Sequence, residues 1–268
     1  MKDYHIHPGY SLDAEGSLED YIKLAIKLGY KEIGFTPHLE ISKKRKETDD
    51  YIKLNNKIVD MRSDWLSHYF SEIDNLRKKY KEIKIKAGIE VGYYDEEEEE
   101  IREIIKKYPF DYVLGAIHSL DTISITESKE NNKLIRAFND VNQYLERYFQ
   151  LLKKAIKSKI FTHIAHIDIY KKFGYKIFGE RIKELGLRYL KDILKLMKKK
   201  NISLEINTSG FRQPFKELYP SEEVIKICKK IGIKKFLIGS DTHYPKDFGD
   251  YIHWGYLIIK RYKLKIGL

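Results

Sequence analysis

Short apolar runs alternate with longer charged stretches along the whole chain. The apolar runs are rich in β-branched and aromatic residues, and the charged stretches carry Leu and Ile at helical spacing. The pattern predicts strands at residues 3–7, 32–36, 83–91, 112–118, 161–166, 203–207 and 235–240. It predicts helices at residues 17–28 and within 49–80, 96–108, 140–157, 180–200, 221–231 and 251–263. Ser17, with Asp20 three residues later, predicts a capping box at the first of these helices.

This alternation predicts an α/β protein whose seven strands pair in parallel through right-handed crossovers. An open doubly wound sheet and a closed barrel both satisfy that strand count. No linker, copied repeat or Gly/Ser/Pro-rich boundary interrupts the alternation, so we expect residues 1–268 to form a single domain.

Most of the nine histidines stand at the ends of predicted strands. Histidines or carboxylates stand at the ends of six of the seven predicted strands. In chain order these are His5 with His7, His38, Glu90, His118, His163 with His166, and Asp241 with His243. The remaining strand leads through Asn207 to Arg212. In a parallel barrel all strand exits meet at one rim, whereas a doubly wound sheet spreads them along an edge. The distribution therefore favours the barrel.

Strand geometry indicates which of these side chains can meet. His5 and His7 are two residues apart and point to the same face, as do Asp241 and His243, so each pair can bind one ion. One such pair, taken alone, could be incidental. It is the presence of these residues at successive strand exits that indicates a site.

The other histidines are predicted to be structural. His163 and His166 are three residues apart, so only one of them can face the site, and His166 is nearer the exit of its strand. We expect His163 to be a buried structural residue. His68 and His253 lie in helical patterns and are expected at the surface or in packing contacts.

Imidazoles and carboxylates without thiolates suit Zn, Mn or Fe rather than Ca or Mg. The number of candidate ligands exceeds what one tetrahedral ion needs, so we expect two or three divalent ions. Glu90 can bridge two of them, because a carboxylate offers two oxygens. Clustered divalent ions lower the pKa of a bridging water and neutralise a transferring phosphoryl group.

The net charge of +11, from 51 Lys and Arg against 40 Asp and Glu, has two interpretations. The lysines are spread along stretches such as LLKKAIKSK and LKLMKKKN, which is typical of solvated helix faces. A polyanion-binding role is the alternative, but the sequence has no concentrated aromatic-basic motif, so we do not expect nucleic acid as a partner. An anionic small substrate also fits the excess of positive charge.

Several classes of protein are excluded or disfavoured. One cysteine, Cys228, rules out a disulfide framework and Cys-rich zinc sites, and it suits the cytoplasm, where we expect the protein. The first residues lack the apolar segment of a signal peptide, and no apolar run approaches about 18 residues, so we expect no membrane span. The G-x-G-x-x-G, Walker A and G-x-S-x-G motifs are absent.

The motifs HIH, TPH, GIEVG, GAIHS, AHID and GSDTH, in this order, resemble the polymerase and histidinol phosphatase (PHP) superfamily. The resemblance extends from Tyr4 to about Pro245. It implies a distorted, TIM-like (β/α)7 barrel with a trinuclear metal centre. The implied ligands are His5, His7, Glu90 and Asp241 for the first metal, Glu90, His118 and His166 for the second, and Asp13, His38 and His243 for the third.

Asp13 is where the chain departs from the common family pattern. Many members carry histidine there and some carry aspartate, and Glu15 is a nearby alternative in this sequence. A carboxylate in that place would alter which metal is preferred.

The segment EINTSGFRQPFKELYPS resembles the histidinol-phosphatase branch of the superfamily. By this resemblance Arg212 binds the substrate phosphate, a task that suits the planar guanidinium fork. A loop salt bridge is the alternative role for Arg212, and Lys171 and Lys172 are further candidates for the phosphate.

The resemblance implies a metal-dependent phosphomonoesterase that hydrolyses L-histidinol phosphate in histidine biosynthesis. Hydroxide on the metals would attack phosphorus in line, without a phospho-enzyme, and we assign catalytic roles to Glu90, Asp241 and His243. One alternative is another PHP phosphatase or phosphodiesterase, acting on phosphotyrosine protein, nucleotide or nucleic acid. A metal-binding scaffold domain is the non-enzymatic alternative. The general acid for the leaving group and the oligomeric state stay open.

Overall fold

The computed structural model describes residues 1–233 and 235–268. Its strands, in chain order, are β1 Lys2–Ile6, β2 Glu32–Phe35, β3 His38–Leu39, β4 Tyr51–Leu54, β5 Lys57–Asp60, β6 Lys84–Gly92, β7 Tyr112–Ala116, β8 Ser119–Leu120, β9 Ile123–Ser124, β10 His163–Ile164, β11 Ser203–Asn207, β12 Lys235–Gly239 and β13 Lys265–Ile266. Its α-helices are α1 Leu18–Lys27, α2 Trp65–Lys79, α3 Glu98–Lys107, α4 Asn131–Ala137, α5 Val141–Ser158, α6 Lys171–Phe178, α7 Arg181–Lys200, α8 Glu222–Ile231 and α9 Ile252–Tyr262.

The main sheet is parallel and follows the order β1-β2-β6-β7-β10-β11-β12-β13. The first seven of these strands are the seven predicted from the sequence, and helices separate them along the chain. The predicted TIM-like (β/α) fold is therefore confirmed.

The sheet curls until β1 meets β12, and this seam closes the barrel only at the carboxyl ends of the strands. There the amide of His7 donates to the carbonyl of Thr242 at 2.9 Å, and the amide of Asp241 donates to the carbonyl of His5 at 2.8 Å. At the opposite end β12 pairs instead with β13, through Lys235 and Lys265. The closed end is the end from which every strand exits toward a loop.

Tyr112 fills the barrel below the seam. Its hydroxyl donates to the carbonyl of Tyr4 at 2.6 Å, and its ring lies against the edge of the Tyr4 ring. A Cβ at Gly34 or Gly88 would lie 2.2 or 2.3 Å from Tyr112 atoms, so only glycine leaves room for this ring. The interior is thus packed, and the space for chemistry is left at the rim.

The helix α1 begins as the sequence predicts. The hydroxyl of Ser17 accepts from the amide of Asp20 at 3.1 Å, and the carboxylate of Asp20 accepts from the amide of Ser17 at 2.9 Å. Both halves of the capping box are present, which satisfies two amides at the helix end.

The segment 49–80 differs from its helical pattern. Only α2 is helical there, and the preceding residues form the antiparallel hairpin β4–β5. Its two turn residues, Asn55 and Asn56, have φ of 50° and 61°, the left-handed values that a two-residue hairpin turn requires. Sequence analysis also missed the helices α4 and α6 and the hairpin β8–β9. Within the described residues, no helix has both the length and the apolar character to span a membrane.

The seam generates a prediction about pH. Asp3 is fully buried, and its Oδ1 accepts from the amides of Ser240 at 2.9 Å and His5 at 3.2 Å. Burial, only partly offset by these hydrogen bonds, raises the pKa of Asp3 to about 6 from its ordinary value of 3.8. The folded state therefore holds this proton more tightly, and stability falls as pH rises from about 4 through 6.

We expect Asp3→Asn to remove this pH dependence. Between pH 4 and 7, the free energy of unfolding of the variant should improve by about 2.4 kcal/mol relative to the wild type, as linkage gives for the two pKa values. Urea denaturation of both metal-free proteins across this range measures the difference. A difference that stays constant with pH would contradict the prediction.

Candidate metal centre

The loops after the strands enclose a cavity of about 380 Å³ at the closed end of the barrel. Predicted site residues from several strand exits line it, namely Asp13, His38, Glu90, His118, His166, Asp241 and His243. His5 and His7 are fully buried beneath them. The structure thus brings all nine predicted ligands to one place.

Glu90, in β6, lies at the centre of this cluster and is 1% exposed. Its Oε1 is 2.7 Å from Nε2 of His166 and 3.4 Å from Nε2 of His118. A carboxylate oxygen facing two imidazole nitrogens is a donor arrangement that suits a divalent transition metal.

The other oxygen of Glu90 faces a different set of histidines. Oε2 is 3.4 Å from Nε2 of His5, 3.5 Å from Nε2 of His7 and 3.1 Å from Nδ1 of His38. The two oxygens of one carboxylate therefore divide the histidines into two groups, as a bridging ligand would.

His5 and His7 point to the same face, as their spacing predicts. Their Nε2 atoms are 2.9 Å apart, and Oδ1 of Asp241 lies 3.6 and 3.3 Å from them. The other oxygen of Asp241 accepts from Nδ2 of Asn207 at 3.2 Å and from the hydroxyl of Ser209 at 3.0 Å. These bonds hold Asp241 so that one oxygen faces the imidazoles.

A third group lies at the mouth of the cavity. Oδ1 of Asp13 is 3.8 Å from Nε2 of His38, and Oδ2 is 3.4 Å from Nε2 of His243. The Asp13 side chain is 62% exposed, so this group is the most accessible to solvent. Glu15 instead lines a separate groove beside Ser17, so the geometry favours Asp13 over Glu15.

Charge within the cluster is strongly coupled. Burial opposes ionisation of Glu90, but the charges of His5 and His118 outweigh it and hold the pKa of Glu90 well below its usual range. Burial and the neighbouring His243 and His38 keep the pKa of His7 well below its ordinary value. An ionised Glu90 and a neutral His7 are in the protonation states that bind a metal. At His5 and His118, burial is outweighed by the neighbouring carboxylates, which raise both pKa values, so metal binding would release protons from these two.

Two carboxylates that sequence analysis did not assign contact the outer nitrogens of the cluster's histidines. Oε1 of Glu205 is 2.6 Å from Nδ1 of His5, and Oε1 of Glu40 is 2.6 Å from Nδ1 of His118. Glu40 is two residues after His38, and Glu205 is two residues before Asn207. In an extended chain, residues two apart point to the same face, so this spacing could have indicated that both glutamates face the site.

The two histidines of THIAHID are separated as strand geometry predicts. His166 enters the cluster with a φ of 23°, a left-handed conformation that is strained for a non-glycine residue. His163 lies outside it, with Nδ1 2.9 Å from the hydroxyl of Thr162. Burial lowers the pKa of His163 to about 4. His68 and His253 also lie away from the cluster, beside Tyr10 and Trp254.

Arg212 lies beside the cluster rather than on the cavity wall. Its Nη2 donates to the carbonyls of Ser240 at 2.8 Å and Asp241 at 2.7 Å. Its Nη1 is buried and has no hydrogen-bond partner among the described residues. The guanidinium is therefore fixed by backbone carbonyls next to Asp241, with one nitrogen left over for an acceptor.

The two lysines after AHID have different environments. Lys171 is buried against Asp168, with Nζ 2.7 Å from Oδ2, and it also lies over the rings of Phe215 and Tyr219. Lys172 lines the cavity, and burial lowers its pKa. Of the two, Lys172 is the one placed to meet a ligand in the cavity.

Comparison with solved structures supports the same architecture. The histidinol phosphate phosphatase of Lactococcus lactis, solved with Zn, L-histidinol and phosphate, superposes with a TM-score of 0.79 at 26% identity, covering 99% of this chain and 94% of that one. A structure from Listeria monocytogenes superposes with a TM-score of 0.82 at 23% identity, covering 95% and 99% of the two chains. The second likeness bears on the fold alone.

Sequence comparison gives relatives of similar length. The histidinol-phosphatase of Lactococcus lactis is 29% identical over 97% of this chain and 90% of its own length. A probable histidinol-phosphatase of Clostridium acetobutylicum is 27% identical over 92% of this chain and 88% of its own length. The sequence model of the PHP domain matches residues 3–209, which run from β1 through β11. Since that match spans most of the chain and the strand exits carry the family's motifs, the chain belongs to the PHP domain family.

Proposed function

We propose that the chain is a metal-dependent phosphomonoesterase that hydrolyses L-histidinol phosphate to L-histidinol and phosphate in histidine biosynthesis. The observation that supports this most directly is the Glu90 carboxylate, whose two oxygens each face two or more histidine nitrogens. The relatives of similar length that are named histidinol-phosphatases support the choice of substrate.

The donor set suits two or three divalent transition-metal ions, either Zn, Mn or Fe. Imidazole nitrogens and carboxylate oxygens make up the cluster, and the single Cys228 is buried in α8. The proposed ligand groups are His5, His7, Glu90 and Asp241, then Glu90, His118 and His166, then Asp13, His38 and His243.

When bound, such ions would supply positive charge to the phosphoryl oxygens and lower the pKa of a coordinated water. The chain's own residues orient this chemistry. Glu90 fixes the separation of the two inner ligand groups, and Asp241 is held by Asn207 and Ser209 so that it faces His5 and His7. His243 lies at the cavity mouth beside Asp13, where it is placed to serve as a ligand of the third group.

Arg212 and Lys172 supply the positive charge that a phosphate dianion needs outside the metal ligands. Lys172 lines the cavity, and burial, with a smaller contribution from the positive charge of Arg212, lowers its pKa. Nη1 of Arg212 has no hydrogen-bond partner among the described residues. A phosphate at this end of the cavity would be attracted by both positive charges. Lys171, which is paired with Asp168, takes no part.

The proposed activity is tested by a substrate panel on Zn- and Mn-reconstituted protein. We expect kcat/KM to be highest for L-histidinol phosphate, compared with a phosphotyrosine peptide and single-stranded DNA. Activity should disappear with a chelator and return with metal, and elemental analysis should give two or three ions per chain. Higher kcat/KM on another phosphoester, or one ion or fewer after reconstitution, would refute the proposal.

We expect Glu90→Gln to lose far more activity than His163→Ala. The amide is neutral and cannot bridge two cations as an anion, so kcat/KM should fall on the order of a hundredfold or more. His163→Ala removes a buried ring outside the cluster and should lower Tm without changing metal content. The comparison is made by measuring kcat/KM and metal content of both variants at a temperature below both Tm values. Equal losses in two folded variants would place His163 in the site.

We expect Arg212→Ala to lower kcat/KM about ten- to hundredfold, because a charge-assisted contact to phosphate is worth about 1.5–3 kcal/mol. Arg212→Lys should recover part of the loss, since lysine keeps the charge without the fork. Metal content should not change. Arg261→Ala, which removes an exposed arginine from α9, is the matched control. Wild-type kinetics in Arg212→Ala would remove this residue from phosphate binding, and lost metal would make it structural.

A further inference from the structure

Two glutamates contact histidines of the cluster through the imidazole nitrogens that are turned away from Glu90. Nδ1 of His5 donates to Oε1 of Glu205, and Nδ1 of His118 donates to Oε1 of Glu40, each at 2.6 Å. Glu205 is 1% exposed and the Glu40 side chain is 12% exposed. An imidazole that donates through Nδ1 keeps the lone pair on Nε2, which is the nitrogen directed at Glu90 in both cases.

Each of these carboxylates lies over a glycine of the neighbouring strand. A Cβ at Gly239 would be 2.3 Å from Oε1 of Glu205 and 2.4 Å from Cβ of His5. A Cβ at Gly92 would be 1.9 Å from Oε2 of Glu40. Any other residue at these two positions would displace the glutamate, so the strands themselves leave room for the carboxylates.

The second carboxylate oxygens of Glu205 and Glu40 differ in the hydrogen bonds that they accept. Oε2 of Glu205 accepts from the amide of His166 at 2.9 Å and from Nδ2 of Asn207 at 3.1 Å. Among the described residues, Oε2 of Glu40 accepts from the hydroxyl of Tyr94 alone, at 3.1 Å. Glu205 thus joins His5 of one proposed ligand group to His166 of another through hydrogen bonds. Glu40 is within hydrogen-bond distance of His118, whereas Nδ1 of His38 lies 4.0 Å from its Oε1.

We propose that Glu205 is a positioning residue that couples two ligand groups of the metal centre, by fixing the tautomer of His5 and the backbone of His166 at once. Glu40 positions one ligand, His118. This inference rests on the metal centre of the proposed function, but not on its substrate. It concerns which protein groups orient the ligands.

The distinction follows from counting donors. Every partner of Glu205 is an N–H donor, so both of its oxygens must accept. In Glu205→Gln, one side of the amide presents N–H to another N–H. If the NH2 group of the new glutamine faces His5, it donates to Nδ1 and favours the tautomer with a proton on Nε2, and that Nε2 cannot bind a metal. If the NH2 group faces His166, it repels the backbone N–H of a residue already held at a φ of 23°.

Glu40→Gln is the matched variant because it can adapt. The amide oxygen can accept from His118 while the amide nitrogen donates to the hydroxyl of Tyr94, which accepts as readily as it donates. The two substitutions make the same chemical change at two buried carboxylates, but only Glu205→Gln leaves a donor facing a donor.

The test measures metal binding in the full chain without any phosphoester. Apo wild type, Glu205→Gln, Glu40→Gln and Gly239→Ala are titrated with Zn²⁺ against a chromophoric chelator, and the visible spectrum of each Co²⁺-loaded protein is recorded. We expect Glu205→Gln to weaken two binding steps by about ten- to hundredfold and to change the Co²⁺ spectrum. Glu40→Gln should weaken one step by less. Gly239→Ala keeps the Glu205 carboxylate, but its Cβ would press on both Glu205 and His5, so it should also weaken Zn²⁺ binding.

Several outcomes would overturn the inference. Wild-type Zn²⁺ affinities in Glu205→Gln would do so, as would a lower apo Tm with unchanged affinities, because that pattern marks a structural role only. Equal losses of Zn²⁺ affinity in Glu205→Gln and Glu40→Gln would contradict the proposal that Glu205 couples two ligand groups. If Glu205→Gln does not fold, Gly239→Ala with wild-type affinities is the overturning result. Metal-loaded wild type that fails to hydrolyse L-histidinol phosphate would refute the proposed function and leave these affinities meaningful.

Discussion

A single buried carboxylate organises the site. Glu90 is surrounded by imidazoles on both of its oxygens, and an anion this deeply buried is tolerated only where charges or hydrogen bonds compensate for the lost water. Its position in the middle of the parallel sheet, between the strands that precede His38 and His118, makes it reachable from several strand exits. The histidines therefore gather around Glu90, and the acidic residues Glu205, Glu40 and Asp241 surround the histidines in turn. Alternating layers of opposite charge keep a dense group of ionisable side chains stable inside a protein with a large net positive charge.

The barrel supplies the geometry that this arrangement needs. The free edge of β12 is shared between two partners, since β13 pairs with its first residues and β1 meets the residues that follow it. The backbone bonds of the seam involve His5, His7 and Asp241, which also present their side chains to the cluster. Closing the barrel and assembling the first ligand group are thus the same structural event. The opposite end needs no such precision and is covered by a two-residue strand.

Much of the fold could be predicted from the sequence because buried parallel strands are continuous apolar runs, and seven of them stand out between charged helices. The gathering of the histidines was predictable from their place at strand exits. Glu205 and Glu40 were not, because whether a strand carboxylate meets an imidazole depends on the register of the next strand and on the space above Gly239 and Gly92. The hairpin β4–β5 was missed because its polar residues hide the alternation, and its asparagine turn is a weaker signal than Asn-Gly. The contacts of Arg212 depend on two backbone carbonyls, which no side-chain pattern records.

The seam between β1 and β12 joins residues that are far apart in the chain, since Asp3 and Ser240 are separated by 237 positions. Contacts of such separation form late, because the loop between them must be ordered first. During synthesis, His5 and His7 leave the ribosome early but gain Asp241 and His243 as neighbours only after almost every other strand has been made. The nascent chain therefore carries His5 and His7 without Glu205 and Asp241 for most of its elongation. The complete candidate metal centre therefore exists only after the last strands have been translated, and the order of the chain itself delays its appearance.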